Sequence, residues 1–255
     1  MEPTEVPKKP KPETPATSFL IAAIIAVYIV ELLWQQMYGV ESLKAIFGSM
    51  GFSLNGLLAG RWWTFITAPF LHAGPDHIIL NALALFFFGK AAESELGTKK
   101  LLILFFSAAI VGNIAVLGAT SIGIMPPDVP TVGASAAIFG LMGAAMLIKP
   151  FEFVFYPYLI PIPLILVALI YTLFNIAEFI SVLAMRAETN IAYAAHLGGL
   201  AVGMLLGFKI EGAKRGFLVL AVIAVLLLVI PIVWGYLSGL EMFNWVNFFS
   251  KVFGG

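Results

Sequence analysis

The chain has 255 residues, of which 61% are apolar and only 11% charged; its net charge is zero and it contains no cysteine. Its mean hydropathy is +1.01, and a soluble domain carries about 25% charged residues, so its solvent is lipid rather than water. Neutrality removes the basic surface that nucleic acid requires, and the lack of cysteine excludes disulfides, thiol catalysis and thiolate metal sites.

Residues 1–16, MEPTEVPKKPKPETPA, are rich in Pro, Lys and Glu and read as a flexible tail. A first apolar span follows over 17–37. It is longer than the 7–15-residue core of a signal peptide and no A-x-A site follows it, so it stays as a membrane helix. Residues 38–76 form a long mixed connection containing GRWWTFITAPFLHAGPDH. The second span is expected at 77–96 and the third at 99–119, with a Pro-rich loop leading to the fourth at 134–148. The fifth is expected at 161–182, the sixth at 190–208 and the seventh at 216–238. The tail, 241–255, holds Phe243, Trp245, Phe248 and Phe249 and suits an interface. The expectation is an all-α polytopic membrane protein. With the N-terminus inside, inner segments hold ten Lys or Arg and outer segments four, which favours an inside N-terminus and an outside C-terminus.

This topology places the polar residues at one depth. His77 and Asn81 begin the second span, Ser135 the fourth and His196 the sixth, and all three spans run inward from the outer side. If Lys149 marks the inner surface, a helix from Ala134 is roughly 24 Å long, short of a core of about 30 Å. Ser135 then starts below the outer surface, where irregular chain survives only in a sheltered or wet cavity. The fourth span carries Gly133, Gly140 and Gly143, and the sixth Gly199, Gly203 and Gly207 at spacing four. Small residues at that spacing let backbones touch, which would bring His196 to Ser135 as general base for a nucleophilic hydroxyl. His77 and Asn81 share a helix face. With the Ser135 amide, at a helix N-terminus, they can form an oxyanion hole.

Each residue also has a plainer reading. Serine is a favoured N-cap, and Asn81 could bond a neighbouring helix. His72 reads as structural, tying down the Trp-rich loop. The three histidines lack the carboxylates that usually complete a metal site, so neither metal nor cofactor is expected. A transporter would need a polar path through the inner half, which offers little.

HAGPDHIILN (72–81), GASAAIFG around Ser135 and AHLGGLAVG (195–203) together resemble the rhomboid family of intramembrane serine proteases. Glu93 and Gly97 resemble that family's E-x3-G. The resemblance covers about 17–208 as a six-helix catalytic core, leaving 209–255 as an extra seventh helix and interfacial tail. It implies a Ser135–His196 dyad, and His77, Asn81 and Ser135 as oxyanion donors. It also implies Phe139 stacked on the histidine, Gly133 permitting the entry to the serine, and Gly199 at the helix contact. The connection at about 183–189 would cap the site and the fifth span would act as a lateral gate. Transmembrane proteins in the bilayer would be the substrates; a catalytically inactive adaptor binding client helices is the alternative. Ala136, where the family often has glycine, and Trp62-Trp63-Thr64 depart from the family pattern without removing a catalytic group.

Overall fold

Pro15, which suits the first turn of a helix because it needs no amide donor there, opens α1 (Pro15–Tyr38). Gly39 at φ +83 ends it, and α2 (Val40–Met50), α3 (Leu54–Leu58) and α4 (Thr64–Thr67) follow, α4 running into a 3₁₀ turn at Ala68–Phe70. Next are α5 (Pro75–Ala84), a π-helical turn at Leu85–Gly89, α6 (Lys90–Leu96) and α7 (Thr98–Ser121). Then come α8 (Ser135–Ile148), a two-stranded hairpin of β1 (Phe153–Phe155) and β2 (Pro161–Pro163), α9 (Leu164–Met185), α10 (Tyr193–Glu211) and α11 (Ala213–Gly239). The computed structural model describes residues 14–155, 161–185 and 192–239. Most of the N-terminal tail, residues 186–191 of the connection expected to cap the site, and the aromatic C-terminal tail lie outside those residues.

Among the described residues five helices, α1, α7, α9, α10 and α11, are long and apolar enough to cross a membrane. The pair Thr64–Phe70 and Pro75–Leu96, bent by 98°, is long and apolar enough only when its two parts are taken together, which brings the spans to five or six. The remaining apolar helix, α8, has 14 residues, about 21 Å. The protein is thus an all-α, multi-pass integral membrane protein with one minimal hairpin.

The mixed connection 38–76 is largely helical. One expectation needs correction: the fifth span begins at Leu164 rather than at 161, because Pro161–Pro163 pair with Phe153–Phe155. Proline lacks the N–H a helix interior needs, which suits it to this short edge.

The short helix α8 is the axis of the fold, with every residue from Ala136 to Leu147 buried. Glycine lets its neighbours press against its backbone. A Cβ on Gly199 of α10 would run into the carbonyl oxygen of Ala136, and one on Gly203 into that of Gly140. A Cβ on Gly112 of α7 would meet Ala136 Cβ and the Ala195 carbonyl. In lipid, where apolar burial gives helices little reason to associate, such close packing is what holds them.

Polar latches close the end of the bundle away from Ser135. Glu93, 2% exposed, accepts the N–H groups of Ala16 and Thr17 at 2.9 and 2.8 Å and the hydroxyls of Thr17 and Thr98 at 2.7 and 2.8 Å. Thr14 supplies no side-chain cap to α1, so a carboxylate from α6 does this work and also complements the helix dipole. Gly89 leaves room for Thr17, whose Cγ2 a Cβ there would strike. Nearby, Lys149 Nζ lies 3.2 Å from Glu95 and 3.4 Å from Glu152. Arg215 of α11 pairs with Glu211 and donates to the Leu147 carbonyl at 2.9 Å. Glu93→Ala leaves two amides unpaired, at about 1–3 kcal/mol each. A fall of several degrees in the thermal unfolding midpoint in detergent is expected, with Glu93→Gln intermediate; an unchanged midpoint for Glu93→Ala would contradict the capping role.

Candidate active site

The turn that presents Ser135 is built by the long first connection. Phe52 and Thr131 exchange backbone hydrogen bonds at 2.9 and 2.7 Å, and the Gly133 N–H donates to the Ala68 carbonyl at 2.9 Å. Gly133 adopts φ +114, a conformation closed to other residues. A Cβ there would also collide with the His77 imidazole at Nε2 and Cε1. His77 therefore lies over the glycine two residues before Ser135, on the side where α8 begins.

Ser135 Oγ and His196 Nε2 are 2.7 Å apart. The close seam of α8 and α10 makes this possible: His196 lies one turn before Gly199, and Ser135 adjoins Ala136, the residue Gly199 touches. The Phe139 ring stacks on the His196 ring at 4.5 Å between centroids and 4° between planes. Tyr193 meets the imidazole edge-on at 6.3 Å. Phe139 and Tyr193 are buried while Ser135 and His196 are half-buried, so the imidazole is clamped between two buried rings.

The other ring nitrogen has a partner that the sequence reading did not single out. His196 Nδ1 lies 2.7 Å from Asn175 Oδ1, on α9, and Asn175 Nδ2 donates to the Tyr193 carbonyl at 3.1 Å. Its only signal in the sequence is one amide in the apolar run ALIYTLFNIAEF. Asn113 of α7 was likewise passed over. It is buried, lines a small cavity beside Ser135 with Ala68, Gly133 and Ala195, and its Nδ2 has no hydrogen-bond partner among the described residues.

Asn81 is buried and its Nδ2 donates to the His77 carbonyl at 2.9 Å, leaving the second N–H of the same group free for another acceptor. His72 sits behind His77, the rings edge-to-face at 5.0 Å. Its Nδ1 faces the Phe70 carbonyl at 3.2 Å, and its backbone N–H lies 3.3 Å from both carboxylate oxygens of the buried Glu31 of α1. Glu31 thereby ties the turn before α5 to α1. The Trp-rich segment is held elsewhere: Trp63 Nε1 donates to the Ser49 carbonyl at 3.0 Å and Thr67 Oγ1 to the Met50 carbonyl at 2.6 Å. Chemically, a serine hydroxyl bonded to a stacked, bonded imidazole at a helix N-terminus can undergo general-base activation and attack a carbonyl.

The rhomboid domain model matches residues 59–213. The putative rhomboid protease YdcA of Bacillus subtilis is 36% identical over 62% of this chain and 71% of its own length. The rhomboid protease GluP of the same organism is 29% identical over 75% of this chain and 35% of its own length, so this chain spans about a third of it. Inactive RHOMBOID-like protein 8 of Arabidopsis thaliana is 29% identical over 33% of this chain and 22% of its own length. The family match spans more than half of the chain and takes in the turn at Gly133 together with the helices that carry Ser135, His196 and Asn81: the chain belongs to the rhomboid family.

Proposed function

We propose that this protein is an intramembrane serine endopeptidase that cleaves other proteins in or near their transmembrane segments. The observation that carries the reading is the 2.7 Å contact between Ser135 Oγ and His196 Nε2 on two helices in backbone contact. Ser135 Oγ attacks the scissile carbonyl carbon while its proton passes to His196 Nε2. The resulting oxyanion lies against the Ser135 N–H, the free N–H of Asn81 and the His77 ring. The imidazolium then protonates the leaving amine, and water hydrolyses the acyl-enzyme through the same base. The Lys and Arg distribution supports a cytoplasmic N-terminus and a site that opens toward the outer side.

Family membership alone admits a second reading, a client-binding adaptor without hydrolysis. The contact between Ser135 and His196 favours the protease. Purified protein incubated with a fluorophosphonate should be labelled at Ser135, and a transmembrane reporter protein should be cut; an adaptor gives neither. Gly133→Ala is expected to abolish both signals, because the methyl demands a different φ and the space His77 occupies. Unchanged labelling of this variant would show that the turn can be rebuilt without loss.

A further inference from the structure

α9 is apolar along most of its length, and Asn175 sits at its middle, 2% exposed. An amide buried there is costly unless both its ends are bonded. Both are, and the two partners together determine which end faces which. The Tyr193 carbonyl can only accept, so it must face the Asn175 NH₂ group; Oδ1 is then turned to His196. Oδ1 is also only an acceptor, so His196 Nδ1 must carry the proton. Neutral imidazole has one N–H, which leaves the Nε2 lone pair toward Ser135 Oγ, 2.7 Å away. A backbone carbonyl of α10 thus sets, through one side chain of α9, the tautomer a general base must have.

We propose that Asn175 is a positioning residue for the hydrolysis described above: it holds His196 in the Nδ1–H tautomer and aims Nε2 at Ser135. The proposal rests on the protease reading, and it gives the apparent dyad a neutral third member. The role follows from chemistry as well as place. Oδ1 stabilises the imidazolium that forms when Nε2 takes the serine proton, because Nδ1–H then becomes a stronger donor. Since Asn175 rides on α9 and His196 on α10, the base is oriented only while these two helices are in register.

The test compares wild type, Asn175→Leu, Asn175→Asp and Ser135→Ala in detergent. Cleavage of a transmembrane reporter and the rate of fluorophosphonate labelling are followed, with the unfolding midpoint as a fold control. Asn175→Leu should lower kcat and the maximal labelling rate about 10- to 100-fold with KM little changed, the scale of a modest misplacement of a reacting group. Asn175→Asp keeps an acceptor for Nδ1–H but cannot donate to Tyr193. It should recover to within about tenfold of wild type if orienting His196 is the function, and should be as impaired as Asn175→Leu if the residue only ties α9 to α10, which would overturn the proposal. Wild-type rates in Asn175→Leu would also overturn it, while Ser135-dependent activity in the wild type leaves the protease reading standing. Absence of any Ser135-dependent activity in the wild type would overturn both. Independently of the variants, the ¹⁵N spectrum of His196, assigned by its loss in His196→Ala, should show a protonated Nδ1 and a bare Nε2; the opposite tautomer would refute the assignment.

Discussion

Ser135→Ala and His196→Ala are each expected to lower kcat for cleavage of a transmembrane substrate by about 10^4- to 10^6-fold. The double variant should be scarcely worse than either. In the proposed mechanism one short contact, Ser135 Oγ to His196 Nε2 at 2.7 Å, carries the proton, so removing either end removes the same step. Two independent contributions would instead multiply. Fluorophosphonate labelling should vanish in both single variants, in Ser135→Ala for want of the atom modified and in His196→Ala for want of the base. Stability should fall only modestly in Ser135→Ala, since Ser135 is half-buried and its hydroxyl caps nothing in α8. His196→Ala also forfeits the stacking on Phe139 and leaves Asn175 Oδ1 unpaired, so its unfolding midpoint should drop further. Cleavage retained in Ser135→Ala would end the claim that this hydroxyl is the nucleophile.

Much of this arrangement could be read before any coordinates, for a physical reason. In lipid a polar side chain must be explained, and glycines at spacing four announce where helices touch. Ser135, His196, His77 and Asn81 stood out against an apolar background, and the Gly199–Gly203 spacing indicated which helices meet. What escaped was whatever depends on rotation about a helix axis or on pairing across long sequence separations. Asn175 lies in a largely apolar helix, and its sequence does not say which neighbour the amide meets; only packing against α10 turns it to His196. The bridge between Phe52 and Thr131 joins residues about eighty apart through two backbone groups that leave no mark in side-chain pattern. The helices of the first connection were missed because Gly39, Gly51 and Gly60 break them into pieces too short for a clear period. Yet that connection holds Gly133 in place, so the serine turn rests on a segment whose elements the sequence did not resolve.

Gly199→Ala and Gly203→Ala should be the most damaging conservative changes outside the polar cluster. Each adds one methyl group, and each methyl would overlap a backbone carbonyl oxygen of α8, that of Ala136 or of Gly140. A side chain could rotate aside, but a helix carbonyl cannot, so α8 and α10 must separate. Overpacking of this kind costs about 1–3 kcal/mol and sometimes more, and a lowered unfolding midpoint in detergent should report it. Activity should fall by a larger factor than stability, because the displaced backbones are those that bring His196 to Ser135. A shift of about 1 Å between reacting groups can cost on the order of 100-fold. Gly199→Ala should be worse than Gly203→Ala for catalysis, being one turn rather than two from His196, while their effects on stability should be similar. Gly118→Ala on α7 is the control: a Cβ there meets nothing within 4 Å, and replacing a helical glycine by alanine is favourable by about 0.8–1.0 kcal/mol where space allows. Its activity should equal that of the unaltered protein. If Gly199→Ala behaved like Gly118→Ala in both measurements, α8 and α10 would not be in backbone contact, and the route by which this fold brings its imidazole to its hydroxyl would have to be different.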